Sequence, residues 1–146
     1  MSEEEAIIAA MLGFGFIGLL VGLAIMVFFL LTLHKCLKEV SEANRTMQPG
    51  MVWLNLIPLL NLVWIFITVI KLSESVVAEG QARGAQVEDG GKTIGLVYAI
   101  SMIASIIPFL GFIAALVALV TFIIYWVKVA GYRKTLAAAQ PALGQV

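Results

Sequence analysis

MVWLNLIPLLNLVWIFITVI, residues 51–70, runs for twenty positions without a charge and carries a proline, Pro58, near its middle. About 20 apolar residues take a helix across a bilayer core. A proline inside a helix removes one backbone hydrogen bond and clashes with the preceding turn. The arms on either side of Pro58 are 7 and 12 residues long, each about half a crossing. The segment therefore reads either as one kinked span or as a re-entrant hairpin with Pro58 near the midplane. The topology of the whole chain turns on that choice.

The surrounding sequence is membrane-like throughout. Of the 146 residues, 62% are hydrophobic and 12% charged, with a mean hydropathy of +1.05. Soluble domains carry about a quarter charged residues. Nine basic residues balance nine acidic ones, so no net field exists to draw in nucleic acid. Residues 6–33 form a first uncharged run, expected to be a transmembrane helix. Its flank, Met1-Ser2-Glu3-Glu4-Glu5, is acidic where a signal peptide is basic, so the run is expected to stay as an anchor.

The polar stretch 34–50 is expected to continue the first helix briefly and to end at Gln48-Pro49-Gly50. The second, 71–92, is rich in Gly, Ala, Glu and Gln and reads as a loop outside the membrane, with a turn at Glu88-Asp89-Gly90-Gly91. Residues 93–127 are again uncharged. As a single helix they would extend about 52 Å, well beyond a core of about 30 Å. Pro108 and Gly111 divide them into two runs, 93–107 and 109–127, which predicts a C-terminal helical hairpin. The tail 135–146 reads as mobile. The expected fold is an all-α integral membrane bundle of three to four transmembrane helices, forming one domain.

Lys and Arg favour the cytoplasmic side. With a re-entrant second unit and the N-terminus outside, all nine lie inside. With a full second span, Lys35, Lys38 and Arg45 oppose Lys71, Arg83, Lys92, Lys128, Arg133 and Lys134, which then face outside. Placing the N-terminus inside reverses that count but brings the glutamate cluster inside. Charge thus favours re-entry. Backbone cost opposes it, because non-helical chain at membrane depth must be buried in protein.

Several residues stand out as candidates. Gly15, Gly18 and Gly22 share one helical face, with a GxxxG step from Gly18 to Gly22. Small faces let helices approach closely in lipid. This face suits either a homo-oligomer contact or packing on the chain's own later helices, where Gly111, Ala114, Ala115 and Ala118 form a second small face. Asn55 and Asn61 flank Pro58 as the most polar groups at depth, suited to satisfying broken backbone or to lining a pore. Asn55-Leu56-Ile57-Pro58 is echoed by Ser105-Ile106-Ile107-Pro108.

Cys36, the single cysteine, is a candidate for juxtamembrane palmitoylation. His34 and Cys36 fall short of a metal-ligand set. Trp53, Trp64, Tyr98, Tyr125, Trp126 and Tyr132 read as interfacial anchors. No catalytic motif, phosphate loop or intramembrane carboxylate pair is present, so neither an enzyme nor a cofactor is expected.

The block Asn44-Arg45-Thr46-Met47-Gln48-Pro49-Gly50-Met51-Val52-Trp53-Leu54-Asn55-Leu56-Ile57-Pro58-Leu59-Leu60-Asn61-Leu62-Val63-Trp64 resembles a group of uncharacterised small multi-spanning bacterial membrane proteins. Ile107-Pro108-Phe109-Leu110-Gly111 and Tyr125-Trp126-Val127-Lys128 resemble its C-terminal part. The resemblance implies a bacterial inner-membrane location and brings no activity with it. The expected function is a non-enzymatic membrane module, self-associating or a subunit of a larger membrane complex, with an Asn-lined channel or small carrier as the alternative.

Overall fold

The computed structural model describes residues 1–139. They are helical without strands: α1 (Glu3–Glu39), a 3₁₀ helix (Pro49–Leu56), α2 (Pro58–Arg83), α3 (Lys92–Ala104) and α4 (Gly111–Ala138). Helices α1, α2 and α4 are long and apolar enough to cross a membrane; α3 is apolar but shorter. The protein is thus an all-α membrane-type chain.

Helix α1 opens on a reciprocal cap. The Ser2 hydroxyl accepts from the Glu5 N–H, and the Glu5 carboxylate accepts from the Ser2 N–H. Thirty-seven residues then continue without a break. The helix ends at Glu39, well before the Gln48-Pro49-Gly50 stop expected from sequence. There Pro49 instead begins the 3₁₀ helix, where its missing N–H costs nothing.

At Ile57 the backbone turns extended (φ −82°, ψ 112°), and Pro58 occupies the first turn of α2. The chain doubles back here. The Asn55 amide donates to Thr68 Oγ1 at 2.9 Å, and Thr46 Oγ1 donates to the Lys71 carbonyl at 2.9 Å. In a continuous kinked helix those partners would lie tens of ångströms apart.

Residues 71–83 are helical, not the loop expected from composition. Ala, Glu, Gln, Leu and Arg are strong helix formers, and the break comes only at Gly84, which takes the left-handed conformation (φ 67°). Gly90 and Gly91, also at positive φ, complete the turn into α3. Of the tail expected to be mobile, residues 135–138 belong to α4, and 140–146 lie outside the described residues.

Helices α3 and α4 form an antiparallel hairpin whose tip, residues 105–110, holds Pro108. A side chain at Gly111 would bring Cβ to 2.5 Å from the Ser105 carbonyl oxygen. Gly111 therefore serves the hairpin turn rather than a helix-packing face.

The core gathers Phe29, Leu30, Leu33, Cys36 and Leu37 of α1 with Ile65, Val69, Leu72 and Val76 of α2. Tyr98 and Ala99 of α3 and Tyr125, Val129, Tyr132 and Leu136 of α4 complete it. The three tyrosines expected as interfacial anchors face this core instead, because each lies on the side of its helix that packs into the bundle. The Phe29 ring packs against Phe122, Tyr125 and Trp126, with centroids 4.7, 6.1 and 5.8 Å away. In contrast, residues 1–25 of α1 are exposed throughout.

Gly95 marks the tightest crossing, where α3 meets α2 and α4. A Cβ there would sit 2.6 Å from Val69 Cγ1 and 2.8 Å from Tyr125 Cε2. Both neighbours are buried and unable to retreat. Gly95→Ala is expected to destabilise the fold by about 1–3 kcal/mol through overpacking. Thermal unfolding in detergent checks this, with Gly13→Ala, which meets nothing within 4 Å and is expected not to destabilise, as the control.

Candidate functional site

The densest polar structure is a node where α1, α2 and α4 end together. Arg83, in the last turn of α2, donates from Nε to Glu79 Oε1 at 2.7 Å. Its Nη1 donates to the Leu136 carbonyl at 2.7 Å and to Glu39 Oε1 at 3.3 Å, and its Nη2 to the Glu39 carbonyl at 2.8 Å. Glu79 is 3% exposed. Its second oxygen accepts from Ser41 Oγ at 2.7 Å and Asn44 Nδ2 at 2.6 Å. Arg45 Nε reaches the Leu37 and Val40 carbonyls, both at 2.9 Å.

Two arginines thus cap the end of α1, whose last carbonyls have no helical partner of their own. Sequence reading missed this node. The signal was present as Glu79 and Arg83 at i, i+4 spacing, but their role depends on Glu39 and Leu136, far away in the chain.

The turn before α3 is also charge-organised. Asp89 accepts from the Gly91 and Thr93 N–H groups at 2.9 and 2.8 Å. The Thr93 backbone bond, foremost, holds its carboxyl below the usual range. The Lys128 ammonium, donating at 2.6 Å, does the same for Glu88.

The sequence candidates fall in different places. Asn55 is 2% exposed, its amide donating to the Val52 carbonyl and to Thr68 Oγ1, both at 2.9 Å. Asn61 is half-buried, with Nδ2 3.9 Å from Met102 Sδ. The carbonyl oxygens of both asparagines lack a partner. Pro58 is exposed at the tip of the doubled-back unit. The cavities of about 400 and 440 Å³ lie elsewhere.

The Asn55–Ser105 echo has a structural counterpart: each side chain donates to the carbonyl three residues earlier, Val52 or Met102. Gly15, Gly18 and Gly22 would each meet nothing within 4 Å if given a Cβ. They are not packed on Gly111, Ala114, Ala115 or Ala118. Only Gly22 and Ala118 share a cleft, one of about 240 Å³ opening where α1 parts from α4.

Cys36 is fully buried against Leu33, Leu37 and their neighbours, so its thiol is closed to an acyl-transfer enzyme in this fold. His34 Nδ1 accepts from Trp53 Nε1 at 3.3 Å. Among the described residues, no group of three His, Cys, Asp or Glu side chains forms a metal-binding set. No protein-family model, curated protein or solved structure matches the chain.

Arg83→Gln leaves Glu79 buried without its cation, and the expected cost is about 3 kcal/mol. Lys71→Gln, which removes a pair 45% exposed on both sides, is expected to change stability by less than about 0.5 kcal/mol. Parallel thermal melts in one detergent compare the two.

Proposed function

We propose that this chain is a non-enzymatic module of a bacterial inner membrane, which associates with copies of itself through the first half of α1. The unpartnered half-helix is the observation that carries this reading. Residues 3–25 are almost wholly apolar after the glutamates and make no buried contact within the chain. Their glycines open onto free space. In lipid, where chain–lipid and chain–chain apolar contacts are nearly equivalent, close backbone approach at small residues is what favours association. The burial of Asn55 supports packing over a pore lining. The resemblance of residues 44–64 supports the bacterial location.

In the proposed topology α1 enters from outside, and the doubled-back unit enters and leaves from the cytoplasmic side. The α3–α4 hairpin then enters from that same side and turns back at Pro108. Support comes from the node at Arg83: α1, α2 and α4 all run toward it, so the 3₁₀ segment carries the chain back into the membrane between α1 and α2. Thirteen residues from Pro58 to Ile70 give the unit a depth of about 20 Å. All nine Lys and Arg then face the cytoplasm, as the charge bias prefers.

Two measurements test the reading. In a Cys36→Ser background, Glu4→Cys is expected to react with an impermeant maleimide outside intact cells, and Gln81→Cys only after permeabilisation. Labelling of Gln81→Cys from outside overturns the topology. Gly18→Leu is expected to shift the detergent-solubilised protein toward monomer in light scattering, since the side chain blocks approach without disturbing the monomer. An unchanged oligomer, or a wild-type monomer, overturns self-association through this face.

A further inference from the structure

We propose that the groove between α1 and α4 is a binding site for one anionic two-chain phospholipid. The inference rests on the membrane-spanning part of the reading above and not on its sidedness. The apolar wall of the groove includes Ile25 and Phe28 of α1, and its mouth is ringed by Lys35, Arg133 and Lys134. It measures about 400 Å³. A second furrow of about 390 Å³, walled by Ile123 and Val127, shares Trp126, Ala130 and Lys134 with it. Two apolar furrows therefore meet under one cationic rim, the shape of a headgroup with an acyl chain descending on each side of Trp126. Trp126 is fixed there by its Nε1–H bond to Thr32 Oγ1 at 2.9 Å.

Besides Arg45, five cations have no carboxylate partner among the described residues, and of these Lys35, Arg133 and Lys134, unlike Lys38 and Lys92, line the groove. Arg83 is held by Glu39 and Glu79, Lys128 by Glu88, and Lys71 by Glu74. Arg45 is spent on the carbonyls at the end of α1. Among the described residues no carboxylate ion-pairs with Lys35, Arg133 or Lys134. Three like charges sharing the rim of an apolar groove repel one another, and a phosphate diester relieves that repulsion while its chains cover the furrows. Basic pockets between helices at the membrane surface recognise lipid headgroups by this combination.

Native mass spectrometry of the full chain, released from micelles containing equal phosphatidylglycerol and phosphatidylcholine, tests the proposal. Wild type is expected to retain phosphatidylglycerol preferentially. The combined variant K35Q/R133Q/K134Q is expected to lower that preference on the order of 100-fold. K38Q/K92Q removes two cations outside the groove and should leave the preference in place. Ala130→Trp fills both furrows, keeps every charge, and should abolish retention. Equal retention of both lipids by wild type overturns the site. Equal loss in K38Q/K92Q overturns it in favour of general surface charge. Displacement of the lipid by millimolar inorganic phosphate overturns the two-chain assignment in favour of a phosphate site. None of these outcomes depends on maleimide labelling or on oligomer size, so this proposal and the preceding one fail separately.

Discussion

The guanidinium of Arg83 is the constraint on which the arrangement depends. Helices that end at a common level each present carbonyls without intrahelical partners and a negative dipole end. Bringing the ends of α1, α2 and α4 together would bury those carbonyls beside one another. A single planar cation with five donors answers this, reaching the Glu39 and Leu136 carbonyls and two carboxylates at once. A lysine could not, since a point charge cannot hold four acceptors in fixed directions. Once the three ends are tied, α1 and α2 must run the same way, and the chain between them has to return.

That return is possible because of what sits between the helices. The 3₁₀ helix keeps most of its hydrogen bonds internal, and the break at Ile57 leaves few groups to satisfy. Asn55 serves the Val52 carbonyl and couples to Thr68, so the end of the 3₁₀ helix is held inside the protein, while the turn at residues 56–59 is exposed at the tip. Beyond the uncharged runs, Leu37, Val40, Val76 and Leu136 are each fully buried. There the surroundings are polar, and burying each such side chain contributes about 1.5–3 kcal/mol. Deeper, where lipid is as apolar as leucine, fit takes over, and Gly95 shows how close that fit is.

Run lengths and charge spacing made the helical membrane class legible, and Pro58 and Pro108 marked where the chain turns. The second polar stretch misled because its charges suggested solvent, and solvent suggested a loop. In fact Lys71 and Glu74 lie on the exposed face of a helix that buries Leu72, Val76, Glu79 and Gly80, with Arg83 closing over the buried carboxylate. The glycine face was ambiguous in a different way. Small residues at helical spacing state that something approaches closely, without stating what, and the chain's own helices diverge before reaching it. The tyrosines looked interfacial because the uncharged runs end near them, whereas their burial depends on which face of α3 and α4 packs inward.

The contrast between the two ends of α1 follows from the same physics. Its second half is surrounded because α2 and α4 continue past the membrane runs to meet it, tied at Arg83 and sealed by apolar contacts. Its first half has no such neighbour, since the α3–α4 hairpin turns at Pro108 and α2 begins only at Pro58. Two short units folded back from one end can enclose only part of a helix that passes their tips. An apolar helix of 37 residues, capped by three glutamates at the far end, is therefore left with a long surface that only lipid or another helix can cover.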